Sequence, residues 1–446
     1  MLETELEAQA RGSGAAEDAE DLRALAARID ASPLLLEDDA DEQQLEAAAL
    51  ELRRHCLARA HRQADPKLKS PCAGTVARLP CGSRVSLGYE RDLDVSALEQ
   101  RGGEDYPTPP GWRSLRVLCR SGQAALACLL HLALATARDG TLRTRHAGRY
   151  FETKALLDLW PRNVLPRVPA EASAFDVQDV DLLIGEPAAC SGGFEVVRPE
   201  ALPRVRHALL LDTTLSGPAV DLAPWFARHD GAIAAVFRSG LKLDQAGLEL
   251  ANVGIVQLMV REGSGLDPEA LAEKLRHIRG LTATGLTLDE LGALSASWFL
   301  DGDYFRRYTE RLFAHNAALA QAIGRDSPVF EPDCHPCLVS ETAPPAAFCA
   351  LRLRGGDLAD HRRVLACVER EVGRRGIVAT KGGSFGFRGI RYELVEPNPE
   401  DGAPFLRVAL GFRGGAGVAA MIELFGELAR GNFTAGRDVH SLASAR

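Results

Sequence analysis

The sequence predicts an α/β protein: a large domain with a mainly parallel β-sheet, followed by a smaller C-terminal α+β domain. From about residue 113, short apolar runs alternate with longer helical segments, which is typical of parallel strands buried on both faces. The chain has 446 residues, 46% of them hydrophobic and 25% charged, so it can form a large buried core and a smaller partner domain.

Each predicted element rests on a local pattern. Residues 41–63 place Leu45, Leu52 and Cys56 near helical spacing and predict an amphipathic helix. Further along, apolar runs predict strands at 114–118, 181–184, 208–211, 232–237, 347–353 and 406–409, and helices at 123–137, 289–323, 357–374 and 416–429. We therefore expect an acidic N-terminal arm with a helix at 1–85, a large domain at 86–323 and a small domain at 324–446.

Charge and composition exclude several classes of partner. Residues 1–50 carry 14 acidic and 3 basic side chains, and the whole chain has a net charge of −9. Because this arm repels nucleic acid and anionic lipid, we expect neither as a partner. The longest apolar stretch, 124–135, is shorter than the roughly 20 residues of a membrane-spanning helix.

Cysteine usage and the N-terminal residues predict a cytoplasmic protein. Met1 is followed by acidic residues, not by a basic region and an apolar run, so no secretory signal is expected. Ten cysteines scattered over a long chain are typical of reduced thiols. Cys334 and Cys337 form a C-x-x-C pair without a second pair to complete four ligands, so no metal is expected.

Lysine is rare, and one lysine stands out. Six of the 52 basic residues are lysines, and arginine cannot supply chemistry that needs a neutral amine. Lys242 follows the predicted strand 232–237 in the segment Ser239-Gly-Leu-Lys242. The other five lie in an irregular stretch, on predicted helices or in a Gly-rich loop: Lys67, Lys69, Lys154, Lys274 and Lys381.

Two further signals follow predicted strands. Asp212 ends the strand at 208–211, 30 residues before Lys242. Ser121 and Gly122 open the helix at 123–137, whose free N–H groups suit a phosphate dianion. Because ligands bind at the carboxyl ends of parallel strands, we expect these groups at one edge of the sheet.

These segments, in their order and spacing, resemble motifs of the fold-type I pyridoxal-phosphate enzymes. The segments are Ser121-Gly-Gln-Ala-Ala125, Asp212-Thr-Thr214 and Ser239-Gly-Leu-Lys242. The resemblance is closest to the Cys/Met-metabolism group, which includes the cystathionine lyases and synthases, and covers roughly residues 86–446. It implies the aspartate-aminotransferase-like fold and pyridoxal 5'-phosphate as cofactor.

The resemblance also implies roles for individual residues. Lys242 would form an internal aldimine and then act as a base, and Asp212 would protonate the pyridine nitrogen and so stabilise a quinonoid intermediate. Tyr150 would stack on the ring and take part in proton transfer, although the two glycines that usually follow it are absent. The other implied cofactor contacts are Ser121, Gly122, Gln123, Thr214 and Ser239.

A shared active site is implied as well. Tyr89 and Arg91 would reach the phosphate from the neighbouring subunit, which implies a homo-oligomer, either a dimer or a tetramer. Arg407 would bind the substrate α-carboxylate in a bidentate pair, with Thr380 and Ser384 nearby.

The sequence departs from the group in two places. Glu186 stands near the position of an asparagine that contacts the phenolic oxygen of the cofactor, and we expect it to take that place. Residues 382–404 have no counterpart in the group. Either their Arg388, Arg391 and Tyr392 read an unusual substrate, or the segment is a solvated loop.

The predicted function is β- or γ-elimination, or γ-replacement, on an amino-acid substrate in specialised metabolism. The resemblance implies a carbon–sulfur, activated homoserine or sulfonium substrate. An aminotransferase or decarboxylase would use the same cofactor residues and remains an alternative, as does a cofactor-free scaffold protein. A nicotinamide dehydrogenase is not expected, because no G-x-G-x-x-G follows a predicted strand.

Overall fold

The computed structural model describes residues 42–64, 76–78, 84–86, 93–169, 177–295, 299–397 and 402–431. Within these residues the chain forms two compact units. The described parts of Ala49–Pro187 and Val197–Arg306 make up the first unit, and those of Ile29–Ala48, Ala188–Val196 and Arg307–Arg446 the second.

Helices and strands alternate through the described residues. The helices are α1 (Glu42–Ala64), α2 (Ser96–Glu99), α3 (Gly122–Thr136), α4 (Phe151–Asp158), α5 (Ala223–Phe226), α6 (Pro268–Leu281), α7 (Leu288–Ala293), α8 (Gly302–Ile323), α9 (Pro336–Val339), α10 (Leu358–Arg374) and α11 (Ala416–Ala429). The strands are β1 (Val76–Arg78), β2 (Arg84–Ser86), β3 (Trp112–Cys119), β4 (Thr144–Ala147), β5 (Asp179–Gly185), β6 (Ala188–Cys190), β7 (Phe194–Val196), β8 (Arg204–Asp212), β9 (Ile233–Ser239), β10 (Gly254–Arg261), β11 (Cys349–Leu351), β12 (Ala379–Lys381), β13 (Ile390–Val395) and β14 (Phe405–Ala409). The predicted strands and most predicted helices are confirmed, but the helix expected at 289–323 is two helices, α7 and α8.

The first unit contains a six-stranded sheet in the order β3-β10-β9-β8-β5-β4. The pairs β4–β5, β5–β8 and β8–β9 are parallel, whereas β10 is antiparallel to both of its neighbours. The sheet is therefore mainly parallel, as predicted. The antiparallel strand β10 was not predicted, although its sequence is an apolar run.

Both faces of this sheet are covered. Along β5 and β8 the side chains alternate: Leu182 and Leu210 belong to one buried cluster, and Leu183 and Leu209 to another. Helix α3 packs in the first cluster and Trp225 of α5 in the second. Burial on both faces is why these strands read as continuous apolar runs in the sequence.

The second unit contains a four-stranded sheet in the order β11-β14-β13-β12. Strand β13 is an interior strand, and its Ile390 and Tyr392 are buried. The solvated-loop alternative for 382–404 is therefore wrong at residues 390–395, because the backbone of β13 is hydrogen-bonded to a strand on each side. None of the described helices combines the length and apolar character needed to cross a bilayer.

Candidate active site

The candidate site is built at the carboxyl edge of the first-unit sheet. Strands β9, β8 and β5 are parallel neighbours that end at Ser239, Asp212 and Gly185. Glu186 directly follows β5, and its backbone N–H donates to the carbonyl of Ala147 at the end of β4. Residues far apart in the sequence therefore meet at one edge, as the sequence predicted.

The start of α3 and the end of β9 meet in a close corner. Ser121 is the N-cap, and its hydroxyl accepts the Ala124 N–H at 3.1 Å. A Cβ on Gly122 would lie 3.2 Å from the Ser239 nitrogen and Cβ, which is tighter than ordinary contact. Because Gly122 has no side chain, the N-terminus of α3 approaches the end of β9 without displacing it, and Ser121, Gly122 and Ser239 lie together.

Thr214 joins the loops that follow β8 and β9. Its hydroxyl accepts the Ser239 N–H at 3.0 Å, and its own N–H donates to Asp212 Oδ1 at 2.9 Å. One side chain therefore fixes the position of Ser239 relative to Asp212. This gives Thr214 an observed structural contact in addition to its predicted cofactor contact.

Asp212 is half-buried and electrostatically unusual. Its pKa is raised from the ordinary value of 3.8 to about 6, first by burial and then by the nearby carboxylate of Glu186. Hydrogen bonds from Thr214 and the charge of His146 act in the opposite direction. A cation placed against Asp212 would restore the ionised form, and a protonated pyridine nitrogen is such a cation.

Lys242 lies in the turn that follows β9. Its side chain is partly buried, and its backbone N–H donates to the Ser239 carbonyl at 3.3 Å. The buried amide of Gln245 braces the next part of the loop, because it donates to the carbonyls of Gly240 and Ala251 and accepts the N–H groups of Leu250 and Ala251.

Buried charges beneath this turn were missed by the sequence analysis. Arg238 on β9 is 2% exposed and pairs with Asp244 at 2.7 Å and with Asp105 at 3.2 Å. The signal was an arginine inside an otherwise apolar strand, followed six residues later by an aspartate. This pair ties the Lys242 turn to the segment that precedes β3.

Tyr106 was also missed. Its buried hydroxyl donates to the Gly217 carbonyl at 2.8 Å and lies 2.6 Å from Thr213 Oγ1. The Gln257 amide of β10 pairs with the Tyr106 backbone in both directions. Tyr106 therefore supports the loop that begins at Asp212, and nothing in the local sequence distinguishes it from an ordinary turn residue.

Glu186 holds the turn that carries Tyr150. Its oxygens accept the N–H groups of Arg149 and Tyr150 at 2.9 to 3.2 Å, and Oε1 lies 2.9 Å from His146 Nε2. Tyr150 precedes α4, its side chain is exposed, and its hydroxyl donates to Glu152 at 2.7 Å. The exposed ring shows that Tyr150 is not part of a hydrophobic core.

The predicted substrate residues belong to the second unit. Arg407 on β14 pairs with Glu393 of β13 at 2.9 Å, and its guanidinium lies 5.0 Å from the centre of the Phe348 ring. Its buried Nε has no hydrogen-bond partner among the described residues. Thr380 is exposed on β12, and Ser384 has a positive φ of 73°.

Two predicted residues cannot be compared with the structure. Tyr89 and Arg91 lie outside the described residues. In the described part of the chain, no group of three or more His, Cys, Asp or Glu side chains is arranged to hold a metal ion.

The first-unit residues fit pyridoxal 5'-phosphate. The corner at Gly122 offers N–H groups to a phosphate, and Asp212 has a pKa suited to a partner that carries a proton. Beside that corner, the buried Oε1 of Gln123 has no hydrogen-bond partner among the described residues. A half-turn of this amide places its N–H₂ donor there instead.

Comparison with known proteins supports the predicted fold. No protein-family profile matches the sequence, and no curated protein has a significantly similar one. A cystathionine γ-synthase from Xanthomonas oryzae pv. oryzae, solved with cystathionine, matches with a TM-score of 0.52 at 12% identity, over 85% of this chain and 99% of that chain. A cystathionine γ-lyase from Micromonospora echinospora matches with a TM-score of 0.51 at 17% identity, over 84% and 98%.

The chain therefore has the fold of these two enzymes, which is the fold-type I architecture. This confirms the fold that the three sequence motifs predicted. At 12–17% identity the similarity concerns the fold.

Proposed function

We propose that this protein binds pyridoxal 5'-phosphate and catalyses β- or γ-elimination, or γ-replacement, on an amino-acid substrate. One observation carries the proposal: the Lys242 turn, Asp212 and the Gly122–Ser239 corner meet at the carboxyl edge of one sheet. An amine, a carboxylate and an anion-binding helix end are the three groups that this cofactor requires of a protein.

Each candidate site residue of the first unit has a proposed role. When bound, the cofactor supplies an electron sink for the negative charge that develops at the substrate Cα. The Lys242 amine binds the cofactor aldehyde and, once released, takes the Cα proton. Asp212 holds the proton of the pyridine nitrogen. The phosphate contacts come from Ser121, Gly122, Gln123, Thr214 and Ser239.

Tyr150 and the second-unit residues act on the substrate. Tyr150 packs on the ring and moves a proton toward the leaving group. Arg407 binds the α-carboxylate, for which its Nε and the planar guanidinium are suited. Thr380 and Ser384 complete this subsite. The neighbour solved with cystathionine, a thioether, supports a carbon–sulfur substrate here; an activated homoserine or a sulfonium would also carry a good leaving group.

We propose that the protein is a cytoplasmic homo-oligomer. Tyr89 and Arg91 of one subunit then reach the phosphate bound in the neighbouring subunit. Six cysteines of the described residues form no disulfide bond, which supports a reducing compartment: Cys119, Cys128, Cys334, Cys337, Cys349 and Cys367.

The test of the cofactor is absorption spectroscopy with covalent trapping. Purified protein is mixed with pyridoxal 5'-phosphate, reduced with borohydride and digested, and the modified peptide is identified by mass spectrometry. We expect the label on Lys242. The matched control is Lys274→Ala, since Lys274 lies on α6 and donates to the Ala135 carbonyl. Lys242→Ala abolishes labelling and Lys274→Ala leaves it intact; label on another lysine, or no binding, contradicts the proposal.

The reaction type is tested by product analysis. The loaded protein is incubated with cystathionine, with O-acylated homoserine and with a sulfonium amino acid. Elimination releases ammonia and a 2-oxo acid, whereas an aminotransferase conserves the amino group and a decarboxylase releases carbon dioxide. A new thioether formed in the presence of an added thiol would identify replacement. Absence of cofactor binding would favour the scaffold alternative.

A further inference from the structure

Three neighbouring side chains lie at the edge of the candidate site. The proposed function assigns a role to Asp212 but none to the contact between His146 and Glu186. His146 lies on β4, Glu186 follows β5 and Asp212 ends β8, and these three strands are neighbours. His146 Nε2 and Glu186 Oε1 are 2.9 Å apart, and the charges of both act on Asp212. A change at His146 or Glu186 therefore alters the charge that acts on Asp212.

The Glu186 carboxylate is hydrogen-bonded to groups of the protein itself. It is 5% exposed and accepts hydrogen bonds from His146 and from the backbone of Arg149 and Tyr150. A Cβ on Gly148 would lie 2.3 Å from Glu186 Cδ, so the turn is wrapped tightly around the carboxylate. A carboxylate has about four acceptor positions, and these three donors occupy most of them.

We propose that His146 and Glu186 are a positioning pair: the carboxylate fixes the turn that carries Tyr150, and the pair sets the charge beside Asp212 at the ends of the neighbouring strands. The inference rests on the proposed function, in which Asp212 holds the proton of the pyridine nitrogen. It gives Glu186 a task different from the contact with the phenolic oxygen that the sequence suggested.

The charge argument has a definite direction. The Glu186 carboxylate favours the protonated form of Asp212 and raises its pKa, whereas the charge of His146 favours the ionised form and lowers it. Glu186 and His146 are the charged side chains of the described residues that act most strongly on Asp212, from β5 and β4 respectively.

The first test measures the affinity for pyridoxal 5'-phosphate against pH in the wild type, Glu186→Gln and His146→Gln. We expect affinity to fall on the acid side as Asp212 becomes protonated. Glu186→Gln moves this fall to lower pH and His146→Gln moves it to higher pH, each by roughly half a pH unit or more. The titration of the ligand itself cancels in the comparison.

Opposite shifts distinguish the proposal from a purely structural role. If both variants weaken binding without a shift, or shift in the same direction, the charge argument is overturned. The control is Glu152→Gln, which removes a nearby carboxylate that contacts the Tyr150 hydroxyl and not the turn backbone. This control should leave the acid-side fall unchanged.

The second test needs no cofactor. Hydrogen exchange is measured in the cofactor-free chain on peptides that cover residues 146–152. In Glu186→Gln, the Arg149 and Tyr150 amides should exchange on the order of tenfold faster, since each loses a charge-assisted hydrogen bond. Unchanged exchange overturns the positioning role even if the cofactor binds. If the wild type does not bind the cofactor, the proposed function is overturned. The exchange experiment still tests the positioning role of His146 and Glu186 in that case.

Discussion

Burial and a neighbouring carboxylate raise the pKa of Asp212 to about 6. In the cofactor-free protein at neutral pH, Asp212 is therefore ionised in surroundings that destabilise its charge. In the unfolded chain the same group titrates near its ordinary value of 3.8. Between these two values the folded state binds more protons than the unfolded state. Stability contributed by this group is therefore present at low pH and lost as the pH rises through 6.

Asp212→Asn should remove this pH-dependent loss of folding stability, because asparagine does not titrate. We expect the free energy of unfolding of the cofactor-free variant, relative to wild type, to rise by about 1 to 2 kcal/mol between pH 5 and pH 8. Urea unfolding at both values measures it. Asp230→Asn is the control: Arg204 lowers the pKa of Asp230, so this carboxyl is ionised in both the folded and the unfolded chain from pH 5 to pH 8, and its difference should be flat. A flat difference for Asp212→Asn between the two pH values would contradict the prediction.

Tyr106 gives a second prediction at the scale of one residue. Tyr106→Phe removes the hydroxyl that contacts Thr213 and Gly217, and should lower the free energy of unfolding by about 1 to 2 kcal/mol. Because Thr213 directly follows Asp212, affinity for pyridoxal 5'-phosphate should fall as well. Equilibrium dialysis and urea unfolding check both effects.

The matched control for Tyr106 lies in the second unit. Tyr308 is also fully buried, and its hydroxyl donates to the Gly386 carbonyl at 3.0 Å. Tyr308→Phe should cost a similar free energy of unfolding without a change in cofactor affinity. Equal losses of affinity in both variants would show that Tyr106 acts through general stability alone.

At the scale of elements, the start of α3 serves both the helix and the proposed phosphate site. Ser121→Ala removes the N-cap hydrogen bond and should lower the free energy of unfolding by about 1 kcal/mol. It should also weaken binding of pyridoxal 5'-phosphate more than binding of pyridoxal, which lacks the phosphate.

Thr287→Ala provides the comparison. Thr287 is the N-cap of α7 and forms a capping box with Glu290, so its loss should destabilise the fold to a similar degree. Preference for the phosphorylated ligand should survive in this variant. If it falls equally in both, the phosphate does not bind at α3.

At the scale of the whole molecule, the active site that we propose to be shared between subunits predicts complementation. Lys242→Ala and Arg91→Ala chains should each be inactive alone. Refolded together as dimers in equal amounts, they should recover about a quarter of the wild-type activity, because half of the dimers are mixed and one of their two sites is intact. No recovery on mixing would assign Lys242 and Arg91 to the same subunit's site, and full activity of Arg91→Ala alone would exclude Arg91 from the site.

The sequence alone determined the fold class and the candidates at the strand ends. Apolar runs buried on both faces made β5, β8 and β9 visible, and motif order pointed to Ser121, Asp212 and Lys242. These features are local, since a strand, a helix cap or a rare lysine is legible within a few residues.

Only the tertiary structure decided how those candidates are held. His146, Glu186 and Asp212 are brought together by three neighbouring strands, and Tyr106 reaches Thr213 across 107 residues of sequence. The antiparallel strand β10 and the interior strand β13 are likewise defined by their partners. Burial, pairing and charge coupling depend on which segments become neighbours, and that choice depends on the whole folded chain more than on any one stretch of it.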